Sequence, residues 1–249
     1  MKKVLVTGAN GYIGKHVVKT LLNSNIEVIT NDISLSEIDD KTKKINLDIF
    51  SKKENIFEEL GSPDVCIHLA WQDGFIHNSD AHIMNLSAHY CFIKNMVAGG
   101  LKQLVVMGTM HEVGYHEGVI DENTICKPLN MYGIAKNTLR ESITLLLKEK
   151  DVAFQWLRGF YIYGDDQRSN SIFNKIYLAE KSGEKTFPFT SGKNKYDFIS
   201  INDFAEQIVA CALQKEIQGI INCCSGKPIT LAEKIENYYG LEKPVSGEE

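Results

Sequence analysis

Residues 2–7 form a β-branched apolar run that stops at a cluster of glycines, and residues 12–22 then place apolar side chains at helical spacing. The pattern predicts a strand, a tight loop and a helix. The alternation continues with strands at 27–30, 44–47 and 64–69 and a helix over 51–60. A long helix is expected over 79–98, a strand over 103–107, a second long helix over 130–150 and a sixth strand over 152–157. Strands separated by helices close through right-handed crossovers into a parallel sheet, so the expected class is α/β, a Rossmann-type doubly wound parallel sheet.

Beyond residue 158 the rhythm loosens. Residues 165–195 are rich in Ser, Asn, Lys and Gly and carry one helical stretch near 172–179. An apolar strand over 196–200, a helix over 202–213 and a last strand over 219–223 then return to the earlier pattern. The expected organisation is a main domain from 1–164 and 196–224, with a small C-terminal substrate-binding lobe from 165–195 and 225–249. The polar ending 246–249 reads as frayed.

The length of 249 residues with 43% apolar content suits one well-buried core and a small appended lobe. A net charge of −5 offers no basic footprint, which sets nucleic acid aside as a partner. The chain runs from Met1 straight into a strand without the apolar region of a secretory signal. No stretch reaches the ~20 apolar residues of a membrane span. The six cysteines make no C-x-x-C spacing, and a reduced, cytoplasmic setting is expected.

The first loop reads Thr7-Gly8-Ala9-Asn10-Gly11-Tyr12-Ile13-Gly14, between a strand and a helix. Glycines at these places let the backbone turn tightly and approach a pyrophosphate, which the helix N-terminus favours electrostatically. Asp32 follows the second strand, where a carboxylate can accept the adenosine ribose hydroxyls. Ile33 and Ser34 come next and bring no cation for a 2′-phosphate, so NAD is expected over NADP. Gly8, Asn10, Gly11, Tyr12, Ile13, Gly14 and Asp32 are the candidate cofactor residues. Asp48 and Ile49 are added as an adenine edge, and Leu69, Ala70 and Trp71, at the end of the fourth strand, as the wall nearer the nicotinamide.

Tyr132 and Lys136 form a Tyr-x-x-x-Lys pair whose spacing puts both side chains on one helix face. A phenol near its ordinary pKa of ~10 is a poor base at neutral pH, and an adjacent ammonium is expected to depress it. Lys136 can also reach the nicotinamide ribose, which makes it a cofactor residue too. Thr109 ends the fifth strand, where open parallel sheets place ligands, and offers a hydroxyl to the reacting oxygen. Thr109, Tyr132 and Lys136 are the candidate catalytic residues. His111-Glu112 followed by His116-Glu117 imitates zinc-protease spacing, but the second histidine is five residues on rather than four, so no metal site is expected. His77, His82 and His89 read as solvated or interfacial.

Residues 7–14, Asp32, Gly108-Thr109, Tyr132-Gly-Ile-Ala-Lys136, 158–164 and Tyr196-Asp-Phe-Ile-Ser200 occur in the order found in the NAD-dependent epimerase/dehydratase family, the extended short-chain dehydrogenases. The chain resembles that family from residue 2 to about 230. The resemblance implies NAD as cofactor, a nucleotide sugar as substrate and a homodimer built on helices 79–98 and 130–150. It also implies substrate contacts near Thr109, Met110, Arg158, Tyr161 and the loop after Gly164.

Departures from the family narrow the reaction. Sugar 4,6-dehydratases of the family carry Asp-Glu after the catalytic threonine; Met110 and His111 stand here, and Glu112 comes one residue late. Tyr161 stands where asparagine is frequent, and Asp165 replaces a usual proline. The expected function is an NAD-dependent nucleotide-sugar 4-ketoreductase or 4-dehydrogenase. A 4-epimerase with tightly bound NAD is the alternative, and a non-catalytic NAD(P) sensor a third reading that retention of Tyr132 and Lys136 disfavours.

Overall fold

The computed structural model describes residues 2–24, 26–164, 171–188 and 190–239. In chain order the elements are β1 (Lys3–Thr7), α1 (Tyr12–Leu22), β2 (Glu27–Asn31), β3 (Lys43–Ile45), α2 (Ile56–Glu59), β4 (Val65–His68), α3 (Ala81–Met84), α4 (Leu86–Gly99) and β5 (Gln103–Thr109). A 3₁₀ turn over Met110–Glu112 leads on to α5 (Met131–Leu147) and β6 (Ala153–Gly159). There follow β7 (Tyr161–Tyr163), α6 (Ile172–Lys181), β8 (Lys195–Tyr196), β9 (Phe198–Ser200), α7 (Ile201–Leu213), β10 (Gly219–Cys223), β11 (Ile229–Thr230) and α8 (Leu231–Tyr239).

The chain divides into two compact units, Met1–Gly159 with Ala205–Cys223, and Phe160–Phe204 with Cys224–Glu249. The first holds a seven-stranded sheet in the order β10-β6-β5-β4-β1-β2-β3, with every pairing parallel. Strand order reverses between β1 and β4, which marks the ligand crevice of an open parallel sheet at its carboxyl edge. The central strands β4 and β5 are buried along their whole length, as a sheet covered on both faces requires. Beneath them, α1 buries Gly14, Val17, Val18 and Leu21, and α5 buries Ala135, Lys136, Leu139, Ile143 and Leu147, one helical stripe each.

Several expected elements are shorter or divided. The helix expected over 51–60 is only Ile56–Glu59. The one expected over 79–98 breaks at Asn85, which closes α3 and opens α4 while its amide donates to Gln72 Oε1 at 2.9 Å. The second unit begins earlier than expected. Residues 160–164 and 196–204 belong to it because β7 pairs with β9 in a separate two-stranded sheet rather than extending the large one.

That second unit has its own core of Phe173, Phe198, Leu231 and Ile235, flanked by Tyr161, Tyr163 and Tyr196. The Asp197 carboxylate accepts the backbone N–H groups of Ser225 (2.6 Å) and Gly226 (2.8 Å), which pins the chain ahead of β11. The expected loop after Gly164, with Asp165, and the ending 246–249 lie outside the described residues. Among the described residues no helix is long and apolar enough to cross a membrane.

Candidate active site

The glycine loop joins β1 to α1 at the carboxyl edge of the sheet. Gly8 has φ of +68°, and a Cβ there would stand 2.7 Å from Ala70 N; a Cβ on Gly14 would stand 2.1 Å from Gly8 O. The loop therefore folds directly onto the residue after β4 and onto the helix it opens. Gly11 caps that helix with no side-chain hydrogen bond, which leaves the positive end of an 11-residue helix open to an anion. Tyr12 begins the helix, with its ring near His16 and Phe75 at centroid distances of 6.2 and 6.4 Å, and Ile13 follows it. Asp32, just past β2, accepts Asn10 N–H at 2.9 Å and Ser34 N–H at 3.3 Å. Ile33 beside it is 97% exposed. Close-packed glycines, an uncapped helix end and a carboxylate at the neighbouring strand end make a donor set that fits a dinucleotide.

The adenine-edge candidates lie in the turn that follows β3. Ile49 is buried in the core cluster, and the exposed Asp48 accepts Phe50 N–H at 2.8 Å, as a turn residue does. Leu69 and Ala70 stay beside β1, donating their N–H groups to Thr7 O (3.2 Å) and Thr7 Oγ1 (3.4 Å).

Thr109, Tyr132 and Lys136 come together where β5 ends and α5 begins. Asn130 caps α5 by accepting Gly133 N–H at 2.8 Å, which sets Tyr132 in the first turn. The Thr109 hydroxyl faces the Tyr132 phenol and favours its ionised form. Thr109 Oγ1 also accepts His111 N–H at 3.2 Å, so the threonine both caps the 3₁₀ turn and faces the tyrosine. Lys136 is buried, and its Nζ donates to Met107 O at 2.6 Å.

The electrostatics differ from expectation. Burial lowers the Lys136 ammonium to about 7, with the Glu112 charge acting the other way. The Tyr132 phenol is pushed above its ordinary value by burial and by the Glu112 charge, against the Thr109 hydroxyl. Lysine proximity does not depress the phenol here, because both groups have lost their solvent.

Trp71 is the second surprise. Lys136 Nζ lies 3.8 Å over its ring, His89 stacks on it at 4.3 Å, and its indole N–H donates to His82 Nδ1 at 3.0 Å. His82 and His89 are each 1% exposed, not solvated as expected; seven residues apart in the chain, both pack against the same tryptophan. His68 extends this array inward, bonded to Thr7 Oγ1 at 2.8 Å and to His89 Nδ1 at 2.9 Å. Burial lowers His68 to about 3 and holds His89 well below the ordinary imidazole value. His77 remains exposed; its ring is 4.3 Å from that of His111, which burial lowers to about 4.

The two outlying substrate candidates part from this group. Arg158 is wholly buried in β6, with Nη1 donating to Asp121 O at 3.2 Å and Nε 3.6 Å from Glu112 Oε2, so it presents no guanidinium to a ligand. The reason is register: β5 pairs Gly108 with Arg158, which points the side chain under the sheet edge. Tyr161 lies in the second unit, its ring 4.5 Å from that of Tyr196 and its phenol pushed up to about 12 by burial. Met110 opens the 3₁₀ turn beside Thr109 and is partly exposed. Glu112, set aside in the sequence, is the buried partner of Arg158.

A model of the NAD dependent epimerase/dehydratase family matches residues 4–224. The chain belongs to that family. Among its members, dTDP-6-deoxy-L-talose 4-dehydrogenase (NAD(+)) of Aggregatibacter actinomycetemcomitans is 42% identical over 240 residues, covering 94% of this chain and 88% of the relative. The dTDP-4-dehydro-6-deoxyglucose reductase of Escherichia coli is 27% identical, covering 94% and 79%. In fold, the chain is similar to UDP-glucose 4-epimerase of Thermotoga maritima, solved with UDP-glucose, with a TM-score of 0.84 at 22% identity, covering 99% of this chain and 85% of that one. This member of the epimerase/dehydratase family is an NAD-dependent enzyme.

Proposed function

We propose that the protein oxidises the C4 hydroxyl of a dTDP-linked 6-deoxyhexose with NAD, or reduces the C4 carbonyl with NADH. The observation that carries the reaction type is the meeting of Thr109, Tyr132 and Lys136 where β5 ends and α5 begins, with Tyr132 one helical turn from Lys136 at the carboxyl edge of the sheet. The similarity to the talose dehydrogenase supports the sugar class.

Gly8, Asn10, Gly11, Tyr12, Ile13 and Gly14 would hold the pyrophosphate, Asp32 the adenosine ribose, and Leu69, Ala70, Trp71 and Lys136 the nicotinamide end. Bound NAD supplies the carbon that takes the hydride in oxidation and returns it in reduction. Thr109 orients the sugar oxygen and Tyr132 takes or gives its proton. Lys136 anchors the ribose and offsets charge on the phenolate oxygen. Met110, beside Thr109, would border the sugar. The aromatic second unit is proposed as the substrate-binding lobe.

We assign the protein to the cytoplasm, supported by six cysteines without a disulfide. A homodimer through α4 and α5 is supported by apolar side chains left exposed on α5 and on α3, which precedes α4, among them Met84 (77%) and Leu145 (73%).

The test is incubation with NAD and dTDP-6-deoxy-L-talose, and with NADH and dTDP-4-dehydro-6-deoxyhexoses, following absorbance of the reduced cofactor alongside product NMR. Net cofactor turnover is expected. Interconversion of C4 epimers without net turnover would replace this reading with an epimerase.

A further inference from the structure

Glu112 takes no part in the cofactor cradle, yet its side chain is wholly buried behind the catalytic group. Its Oε1 accepts the Thr109 backbone N–H at 2.7 Å, and both carboxylate oxygens lie 3.0 Å from the Trp156 indole nitrogen. Oε2 lies 3.6 Å from Arg158 Nε. Every one of these neighbours is a donor, which suits a carboxylate and leaves no acceptor for a carboxylic proton. Burial is the largest influence and leaves the acid above its ordinary value, with Thr109 N–H, Arg158, Trp156 and Lys136 acting the other way.

Gly108 shows how tightly this carboxylate is pressed against β5. A Cβ there would fall 2.2 Å from Trp156 Nε1 and 2.7 Å from Glu112 Oε1. Three consecutive residues thus connect the acid to the proton-transfer group: Met107 holds Lys136 through its carbonyl, Gly108 makes room for Glu112, and Thr109 bonds Glu112 through its amide while its hydroxyl faces Tyr132.

We propose that Glu112 is a positioning residue of the proton-transfer site, fixing the Thr109 turn and setting a buried negative charge behind Tyr132 and Lys136. The proposal rests on the reading of Thr109, Tyr132 and Lys136 as the catalytic group. The charged and titratable groups facing the carboxylate are Arg158 from β6 and Tyr132 and Lys136 from α5. A negative charge raises both members of the pair, so its removal moves both downward, whichever of them governs the rate. A protonated pair is the form that gives a proton to a carbonyl oxygen, so this charge favours reduction near neutrality and moves oxidation to higher pH.

The first measurement needs neither cofactor nor substrate. The Lys136 ammonium of the cofactor-free protein is titrated by NMR with 13C-labelled lysine, using Lys136→Met to assign its signal. Glu112→Gln is expected to lower the midpoint by about half a pH unit or more. In the second, the ascending limb of the kcat against pH profile for oxidation is expected to shift to lower pH in the same variant. Glu112→Gln leaves Arg158 buried and unpaired, so Glu112→Gln/Arg158→Met, which removes both charges, is measured beside it and is expected to shift the same way. An unchanged lysine midpoint in a folded variant would overturn the proposal. A shifted midpoint in a protein that turns over no dTDP-sugar would leave the role of Glu112 standing and remove the proposed substrate instead.

Discussion

The Lys136 ammonium lies 3.8 Å over the indole of Trp71, a residue that follows β4, next to the strand reversal. Their contact ties the end of β4 to the middle of α5. A buried cation over an aromatic face gains about 2 kcal/mol when desolvated, which here opposes the cost of burying the ammonium. Trp71→Leu is therefore expected to lower kcat on the order of tenfold, with secondary structure retained by circular dichroism. Unchanged kcat would show that the main-chain anchor on Met107 suffices.

Tyr132→Phe is expected to abolish turnover while leaving NAD affinity within a few-fold, because the hydroxyl moves a proton and does not anchor the pyrophosphate. NADH fluorescence titration beside the activity assay separates the two. A folded variant that has lost cofactor binding would contradict this division of labour.

Asp32→Ala is expected to weaken NAD binding and narrow its advantage over NADP. Two effects act together: the ribose loses its acceptor, and Asn10 N–H loses the carboxylate that shapes the loop. Titrations with both dinucleotides check this, and an unaltered preference would remove Asp32 from the site.

Those glycine-loop and Tyr-x-x-x-Lys assignments were legible because each depends on local spacing around one strand end. What escaped depends on residues far apart in sequence. Glu112 and Arg158 become a buried pair only when β5 and β6 align Gly108 with Arg158. Nothing in their own neighbourhoods signals that burial. His82 and His89 looked like one polar helix face, and Trp71, which follows β4, covers both. The boundary of the second unit escaped for a similar reason, since a three-residue strand such as β7 carries too little pattern to show whether it joins the large sheet or a small one.

The buried histidines predict a pH dependence of stability. His68 and His89 titrate in the native state far below the unfolded value near 6.5, so between about 3 and 6.5 the unfolded chain binds more protons than the folded one. Stability is then fully present above pH 6.5 and is lost as the pH falls towards 3. Urea unfolding of the cofactor-free protein at pH 7.5, 5.5 and 4.5 should show a falling midpoint, with the loss reduced in His68→Asn. Equal slopes in both proteins would assign acid lability to the carboxylates.

The sheet of the first unit is completed by β10, a strand made after all of residues 160–204 have been synthesised. On the ribosome, β6 therefore emerges as an open edge carrying Trp156 and Leu157, both wholly buried in the finished molecule. A nascent chain in this state offers other chains a ready place to pair. A fragment ending at Gly159 is expected to aggregate or bind a hydrophobic dye, whereas a soluble, dye-silent fragment would show that six strands close without the seventh. Vectorial folding of this enzyme would run only up to β6; the last strand of the sheet waits until residues 160–204 of the other unit have been made.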